Sequence, residues 1–356
     1  MSWILAFLGF AALVILHEAG HFFAAKAVGM RVERFSLFFP PLIARKRRGE
    51  TEYAIGAIPL GGYVKITGMN PAEEIPPQHA HRAYYRQPPW KRIVVIAAGP
   101  AVNIALAFLI LWGVFMAIGQ PGVPPVVGTV EKGSPAAQAG LQTGDQVIAV
   151  DERKLTGSSL DDQVGEVGKA IAAHKGTPVS ITIVRDGKQQ TVKAATFYDK
   201  ALKKYRFGFA YDPDGTKQSV GPLKSADLAV TGMWTITRDT VSHIAKIFQK
   251  KDRDQLGSAV GGFKTTQEAF TLSASTALIV LAFISLSLGV INLFPFLPLD
   301  GGHIFWAVAE KVRGKAIPFF VMERAGFIGF ALVIGLFVIG LTNDIDRLQN
   351  GGFGLR

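Results

Sequence analysis

Leu16-His17-Glu18-Ala19-Gly20-His21 decides how this chain is read. The stretch lies inside an apolar run that begins at Trp3 and fades after Val28. A run of that length is a candidate transmembrane helix. Ionisable side chains inside such a helix are costly and usually mark a working site. Three occur here, spaced His-Glu-x-x-His. Positions i and i+4 share a helix face, so His17 and His21 can offer two imidazoles to one Zn2+. Glu18 stands beside them, where a carboxylate can take a proton from water activated by the metal. The same spacing also arises by chance in soluble helices. Within a membrane run chance is the weaker account, because an uncompensated His-Glu-His set is hard to tolerate there.

The composition agrees with a membrane setting. The chain has 356 residues, of which 49% are hydrophobic, which is too apolar for an ordinary soluble enzyme of this length. More than one domain is expected. There is no cysteine, which excludes disulfides and thiolate metal sites and leaves His, Asp and Glu as ligands. The net charge of +11 raises the question of nucleic acid. Basic residues beside apolar spans explain it better, so no nucleic-acid partner is expected. Met1-Ser2 offers no positive n-region and no small-residue cleavage site follows, so the first run is expected to remain as a helix. Lys26, Arg31, Arg34 and Arg45-Lys46-Arg47-Arg48 follow it. That bias puts the N-terminus outside and the His-Glu-x-x-His box in the cytoplasmic half of the bilayer.

Residues 31–70 read as short strands and turns, cut by Pro40-Pro41, Gly49, Pro59 and Gly61-Gly62. Ile58 to Val64 is apolar yet rich in helix breakers. Non-helical backbone at membrane depth is tolerated only where protein or a water-filled cavity satisfies it. The expectation is a small sheet dipping toward the metal, with a free edge near Gly61 and Gly62 that can pair with a substrate backbone. An ordinary cytoplasmic hairpin is the plainer alternative. Residues 71–92 form a polar and aromatic loop in which His79 and His81 read as solvated, and Tyr84, Tyr85 and Trp90 suit an interfacial belt. Ile93 to Ile118 is a second span carrying Gly99-Pro100 and Asn103. Asn103 is expected to bond across helices.

The character then changes. Pro121 to Pro125 is a linker signal. Strand-like runs follow at Val126 to Val130, Gln146 to Val150, Val179 to Arg185, Gln190 to Ala194 and Arg206 to Ala210. Ser134 begins a capped short helix, Asp162 to His174 reads as a second helix, and Asp186-Gly187 is a hairpin turn. These make a compact domain on the far side of the second span, outside the cytoplasm. Gly221 to about Lys251 has the spacing of an amphipathic helix, suited to the membrane surface or to packing on the compact domain. Gly257 to Gly262 reads as flexible. Leu272 to about Phe296 is a third span, and Ala325 to Leu341 a shorter fourth.

The third span ends in Asn292-Leu293-Phe294-Pro295-Phe296-Leu297-Pro298-Leu299-Asp300-Gly301-Gly302-His303. Two prolines break the helix and an acid follows, on the same side as the histidines. Catalytic zinc usually has three protein ligands and one open position. Asp300 is the strongest third candidate, since zinc would compensate an aspartate at that depth. Helix N-capping is its plain alternative, and His303 is a lesser rival ligand. Glu18 would accept a water proton and pass it to the leaving amine of a cleaved peptide bond. Asn292 can hold the substrate backbone or the oxyanion, or stabilise the helix break.

On these residues the chain resembles the bacterial site-2 proteases, intramembrane zinc metalloproteases of the RseP type. His17-Glu18-Ala19-Gly20-His21 and the Asn292 to Gly301 segment carry the resemblance, the latter in the pattern Asn-x-x-Pro-x-x-x-Leu-Asp-Gly. Ile58 to Val64 looks like the family's membrane re-entrant hairpin, and Gly99 to Asn103 like another family segment. Residues 123–212 resemble a PDZ domain, most tellingly over Gly133 to Asp145. The resemblance implies a polytopic α-helical membrane protein with four transmembrane helices, a membrane-associated β-hairpin or sheet and one inserted α+β PDZ domain. Its parts would be 1–118 with spans 1 and 2, 123–212, an amphipathic helix and linker over 213–271, and 272–356 with spans 3 and 4. It implies Zn2+ on His17, His21 and Asp300, Glu18 as the catalytic base, and substrate contacts at Asn292, Gly61 and Gly62. Substrates would be transmembrane proteins such as anti-sigma factors already cut by a site-1 protease. The setting would be the lipid bilayer of a bacterial inner membrane, with the protein a monomer, the active site toward the cytoplasm and the PDZ domain outside. Where relatives show Gly-Pro before a hydrophobic-Gly pair, this chain has Ser258-Ala259-Val260-Gly261-Gly262. Two other classes remain open on sequence: a non-catalytic PDZ-bearing membrane scaffold, and a metal transporter. Glu18 between the histidines favours chemistry, and transporters usually show repeated halves, which are not evident.

Overall fold

The computed structural model describes residues 1–70, 73–121, 124–157, 160–199, 204–212, 217–218, 220–246, 249, 253 and 256–349. The chain divides into two compact units, Met1–Val114 with Ala226–Arg356, and Phe115–Ser225. In chain order the helices are α1 Ser2–Ala27, α2 Pro89–Ile118, α3 Pro135–Gln138, α4 Leu160–Ala173, α5 Pro222–Ala245, α6 Ala259–Leu272, α7 Ala274–Asn292, α8 Asp300–Arg313 and α9 Phe319–Gln349. Four of them, α1, α2, α7 and α9, are long and apolar enough to cross a membrane.

Between α1 and α2 lie two long strands, β1 (Val32–Arg48) and β2 (Thr51–Ile66), which pair antiparallel across a turn at Gly49. The sequence suggested several short strands cut at the prolines and glycines. Instead each strand runs on through its breakers and bends there. Arg48 pairs with Thr51 and Ala44 with Ile55 near the turn, while Val32 pairs with Ile66 and Leu37 with Gly62 at the far end. Residues 34–37 also face 52–55, Arg34 against Glu52 and Leu37 against Ile55. The two strands therefore double back into four segments side by side, in the order 62–66, 32–37, 51–56, 42–48. A pleated ladder tolerates glycine and proline at bends and outer edges, which is where these residues fall. The outer side of 62–66 carries no strand among the described residues.

The last third of the chain departs from expectation in two places. The fourth span is not short, since α9 has 31 residues. The polar pair Asn343-Asp344 does not end it, because both side chains are used. Asp344 is fully buried and accepts from Ser258 N at 2.6 Å, Ser258 Oγ at 2.7 Å and Gly261 N at 3.0 Å. Asn343 donates to the carbonyls of Arg253 and Leu256. Gly257 to Gly262, read as flexible, thus leads into and begins α6. A helix start leaves several N–H groups without internal partners, and Asp344 takes two of them. Within the expected amphipathic helix and linker over 213–271, a second helix, α6, thus joins the amphipathic one. The third span likewise begins as two helices that meet at Ser273, whose side chain caps α7 through Thr276 N. That span stops at Asn292, before Pro295.

In the unit Phe115–Ser225 a six-stranded sheet holds β3 (Val126–Val130), β4 (Gln146–Val150), β5 (Arg153–Lys154), β6 (Pro178–Arg185), β7 (Lys188–Ala195) and β8 (Phe209–Asp212). Its core joins Val127, Val147, Ile181, Ile183 and Phe207 to Val167 and Ile171 of α4. Asp186 and Gly187 both have positive φ, 50° and 74°, as a two-residue hairpin of the expected kind requires. Ser134 caps α3 by accepting from Ala137 N. The run Arg206 to Ala210 is not one strand. Gly208, at φ 94°, breaks it, so that Lys204–Arg206 pairs with Phe197–Asp199 while β8 joins the main sheet. Of the linker signal, Gly122 and Val123 lie outside the described residues. So do Ile247 and Phe248 of the amphipathic run, whose helix α5 ends at Ala245. Val230, Met233, Trp234 and Val241 of α5 line an apolar groove of about 890 Å³ shared with α2 and α7.

Candidate metal centre

His17 and His21 stand one turn apart on α1, and both are buried. Asp300, from the other end of the chain, is the first residue of α8. The break after Asn292 delivers it: α7 stops, residues 293–299 turn, and α8 begins. Gly301 and Gly302 permit that turn to be tight, because a Cβ on either would run into the backbone of Leu293 or of Phe296 and Leu297. Asp300 is at a helix start, as its plain alternative reading required, yet Leu299 is the cap residue. The Asp300 side chain faces the histidines instead.

Three atoms then form a nearly equilateral triangle. His17 Nε2 lies 3.2 Å from His21 Nε2 and 3.3 Å from Asp300 Oδ2, and His21 Nε2 lies 3.4 Å from the same oxygen. Zinc bonds of about 2.0–2.1 Å at the tetrahedral angle hold neighbouring ligand atoms about 3.3 Å apart. The triangle has that edge. Asp300 Oδ2 is buried with no hydrogen-bond partner among the described residues, as an oxygen meant for a cation would be. His21 Nδ1 lies 2.9 Å from the Val95 carbonyl of α2. Donating there fixes the proton on Nδ1 and leaves the Nε2 lone pair facing the triangle. His303, the rival ligand, is not part of this cluster.

A cavity of about 390 Å³ opens on the triangle. Glu18, Gly61, Gly62 and Asn292 line it with the three polar groups, so the expected ligands, base and substrate contacts other than the rival His303 border one space. A Cβ built on Gly62 would lie 3.1 Å from Glu18 Cγ, which places the edge segment 62–66 against that carboxylate. Phe39, Tyr63, Val64, Met69, Ile96 and Leu288 complete much of the wall. Tyr63 and Val64 belong to the stretch expected to dip toward the metal, whereas Phe39, Met69, Ile96 and Leu288 were missed, since a lone apolar side chain carries no signal of which cavity it lines. Gly99 was missed too. A Cβ there would strike the His21 ring, so the glycine makes room for the imidazole. The Gly-Pro pair inside a span was the available signal. Asn103 corrects an expectation: the bond across helices comes from Ser285 Oγ to the Asn103 backbone carbonyl, at 2.9 Å, and the buried side-chain amide has no partner. Below the site, Tyr84 is buried, and that burial pushes its phenol above the ordinary range against the pull of Arg92.

The sequence profile of peptidase family M50 matches residues 5–336. The chain belongs to that family. A Clostridium perfringens protein with a zinc-metalloprotease name is 32% identical over 352 residues, covering 97% of this chain and 98% of its own. A similarly named Brucella suis protein is 31% identical, covering 94% and 92%. Zinc metalloprotease Rip1 of Mycobacterium tuberculosis is 29% identical over 393 residues, covering 93% and 94%. This M50 peptidase is thus a zinc metalloprotease, and its family cleaves membrane proteins within the bilayer. The scaffold and transporter classes give way to that finding.

Gly99→Ala is expected to weaken zinc binding about ten- to a hundredfold, as loss of a ligand's support commonly does. Gly113→Ala, on the same helix with open space around it, is the control. Zinc per chain after dialysis against a chelator measures both, and equal retention would contradict this role for Gly99.

Proposed function

We propose that His17, His21 and Asp300 hold the zinc and that Glu18 is the general base. The observation that carries this is the triangle of ligand-type atoms at tetrahedral spacing, with Glu18 on the wall of the same cavity. Zinc, when bound, polarises the scissile carbonyl and makes water acidic enough to attack at neutral pH. Glu18 takes the proton of the attacking water and returns it to the leaving amine. Asn292, which lines the same cavity, would donate its amide to the carbonyl oxygen. His21 keeps its proton on the Val95 side throughout.

A helical substrate hides its peptide bonds, so the segment to be cut has to unwind. The unpaired side of 62–66 offers backbone groups to an extended strand, and it runs along the cavity beside Glu18. Gly61 and Gly62 keep that edge low. Gly62 also has a packing duty against Glu18, so enlarging it would disturb the base as well as docking. We assign residues 123–212 to a PDZ domain. The antiparallel sheet, the capped helix after Ser134 and α4 support that fold. The basic residues that follow α1 support a site facing the cytoplasm and a PDZ domain outside, in a bacterial inner membrane. On the resemblance to RseP-type proteases, the substrates are transmembrane proteins such as anti-sigma factors trimmed outside, processed in regulated intramembrane proteolysis by a monomeric enzyme.

Glu18→Gln should keep one zinc per chain and lose cleavage of a membrane-spanning substrate by about a hundredfold or more. Cleavage near the wild-type rate would remove Glu18 as the base. The edge reading has its own test, made clean by the lack of native cysteines. Single cysteines at Tyr63 and Lys65 should cross-link to substrate cysteines two residues apart, since a paired strand advances in register. Cross-links that do not move with the enzyme position would exclude strand pairing.

A further inference from the structure

The triangle needs Asp300 to arrive within a few tenths of an ångström of its place, yet α8 enters the site from a broken segment. Its near end is held by backbone packing at Gly301 and Gly302. Along its middle Ile304 packs against the cluster around Val95 and Ile96 and Ala307 is buried, but apolar contacts carry no direction, and a small roll of α8 would swing the carboxylate out of the triangle. A second hold lies at the far end. Glu310 Oε2 is 2.8 Å from Arg92 Nη2, and the Arg92 side chain is 10% exposed. Glu310 is ten residues beyond Asp300, about 15 Å along the helix and about 80° around it. An ion pair at that distance fixes the roll.

Arg92 belongs to the helix that already orients His21. Val95, whose carbonyl accepts the His21 Nδ1–H hydrogen bond, is one turn further along α2. The same turn of α2 therefore touches the supports of ligand residues from both ends of the chain. Buried arginine is expensive in an apolar setting, and Arg92 Nε has no partner of its own. A plain structural filler would be easier to supply with apolar side chains.

Resting on the ligand set given above, we propose that the Arg92–Glu310 pair is a positioning device for zinc, which locks α8 to α2 so that Asp300 meets both imidazoles. Neither residue touches the reacting atoms. The pair acts on the affinity of the site, not on the proton transfers.

The test uses the full chain in detergent, with zinc affinity measured by chelator competition and the melting of the metal-free protein measured beside it. Glu310→Gln, nearly isosteric, should weaken zinc about tenfold or more. Arg92→Lys, which keeps the charge but loses the planar fork, should fall between it and wild type. The exchanged pair, Arg92→Glu with Glu310→Arg, should recover much of the affinity lost in Glu310→Gln. At saturating zinc the KM for substrate should be unchanged in all three. Zinc affinity equal to wild type in Glu310→Gln would overturn the proposal, whether or not melting falls, because the pair would then serve stability alone. Asp300→Ala separates this from the ligand reading. Wild-type zinc affinity in Asp300→Ala overturns the ligand set. Loss there with no loss in Glu310→Gln overturns only the clamp.

Discussion

Two imidazole nitrogens and a carboxylate oxygen 3.2–3.4 Å apart, walled by apolar helices, are tolerable only around a shared positive charge. The rest of the unit is arranged to satisfy that constraint. α1 brings two imidazoles together because i and i+4 share a face. α8 brings the carboxylate because α7 is broken after Asn292. Helix α2 runs past both, accepting the His21 Nδ1–H hydrogen bond at Val95 and leaving room for the ring at Gly99. A membrane protein cannot leave such groups to water, so on the proposed ligand set zinc would have a structural as well as a chemical role.

The same economy governs the non-helical backbone. β1 and β2 satisfy most of their hydrogen bonds by doubling back on each other, which leaves one outer edge, 62–66, beside Glu18. An edge of that kind is a liability in a free surface and an asset next to a peptidase site. At the other end of the unit, Asp344 takes the first N–H groups of α6, so a buried carboxylate again answers groups that lipid could not.

Much of this was legible in the sequence, for identifiable reasons. His17, Glu18 and His21 announced themselves because charge is rare in an apolar run, and Asp300 because proline, proline and acid end a span together. The hairpin turns at Gly49 and Asp186-Gly187 followed from the conformations those residues adopt. What was missed depended on partners remote in sequence. The strands run through Pro40-Pro41 and Gly61-Gly62 because bends there let the sheet fold back, which local punctuation cannot reveal. The length of α9, read as a span ending at Leu341, and the order of Gly257 to Gly262, read as flexible, both hang on Asn343 and Asp344. Asn103 has the right neighbour, Ser285, but bonds it through its backbone.

The central claim is that ligands from residues 17, 21 and 300 surround one zinc. X-ray absorption at the zinc edge on the purified full chain tests it most directly. The account predicts a four-coordinate shell of nitrogen and oxygen at about 2.0–2.1 Å, with the outer-shell scattering of two imidazoles. A shell with one imidazole or none, or a six-coordinate oxygen shell, would contradict it.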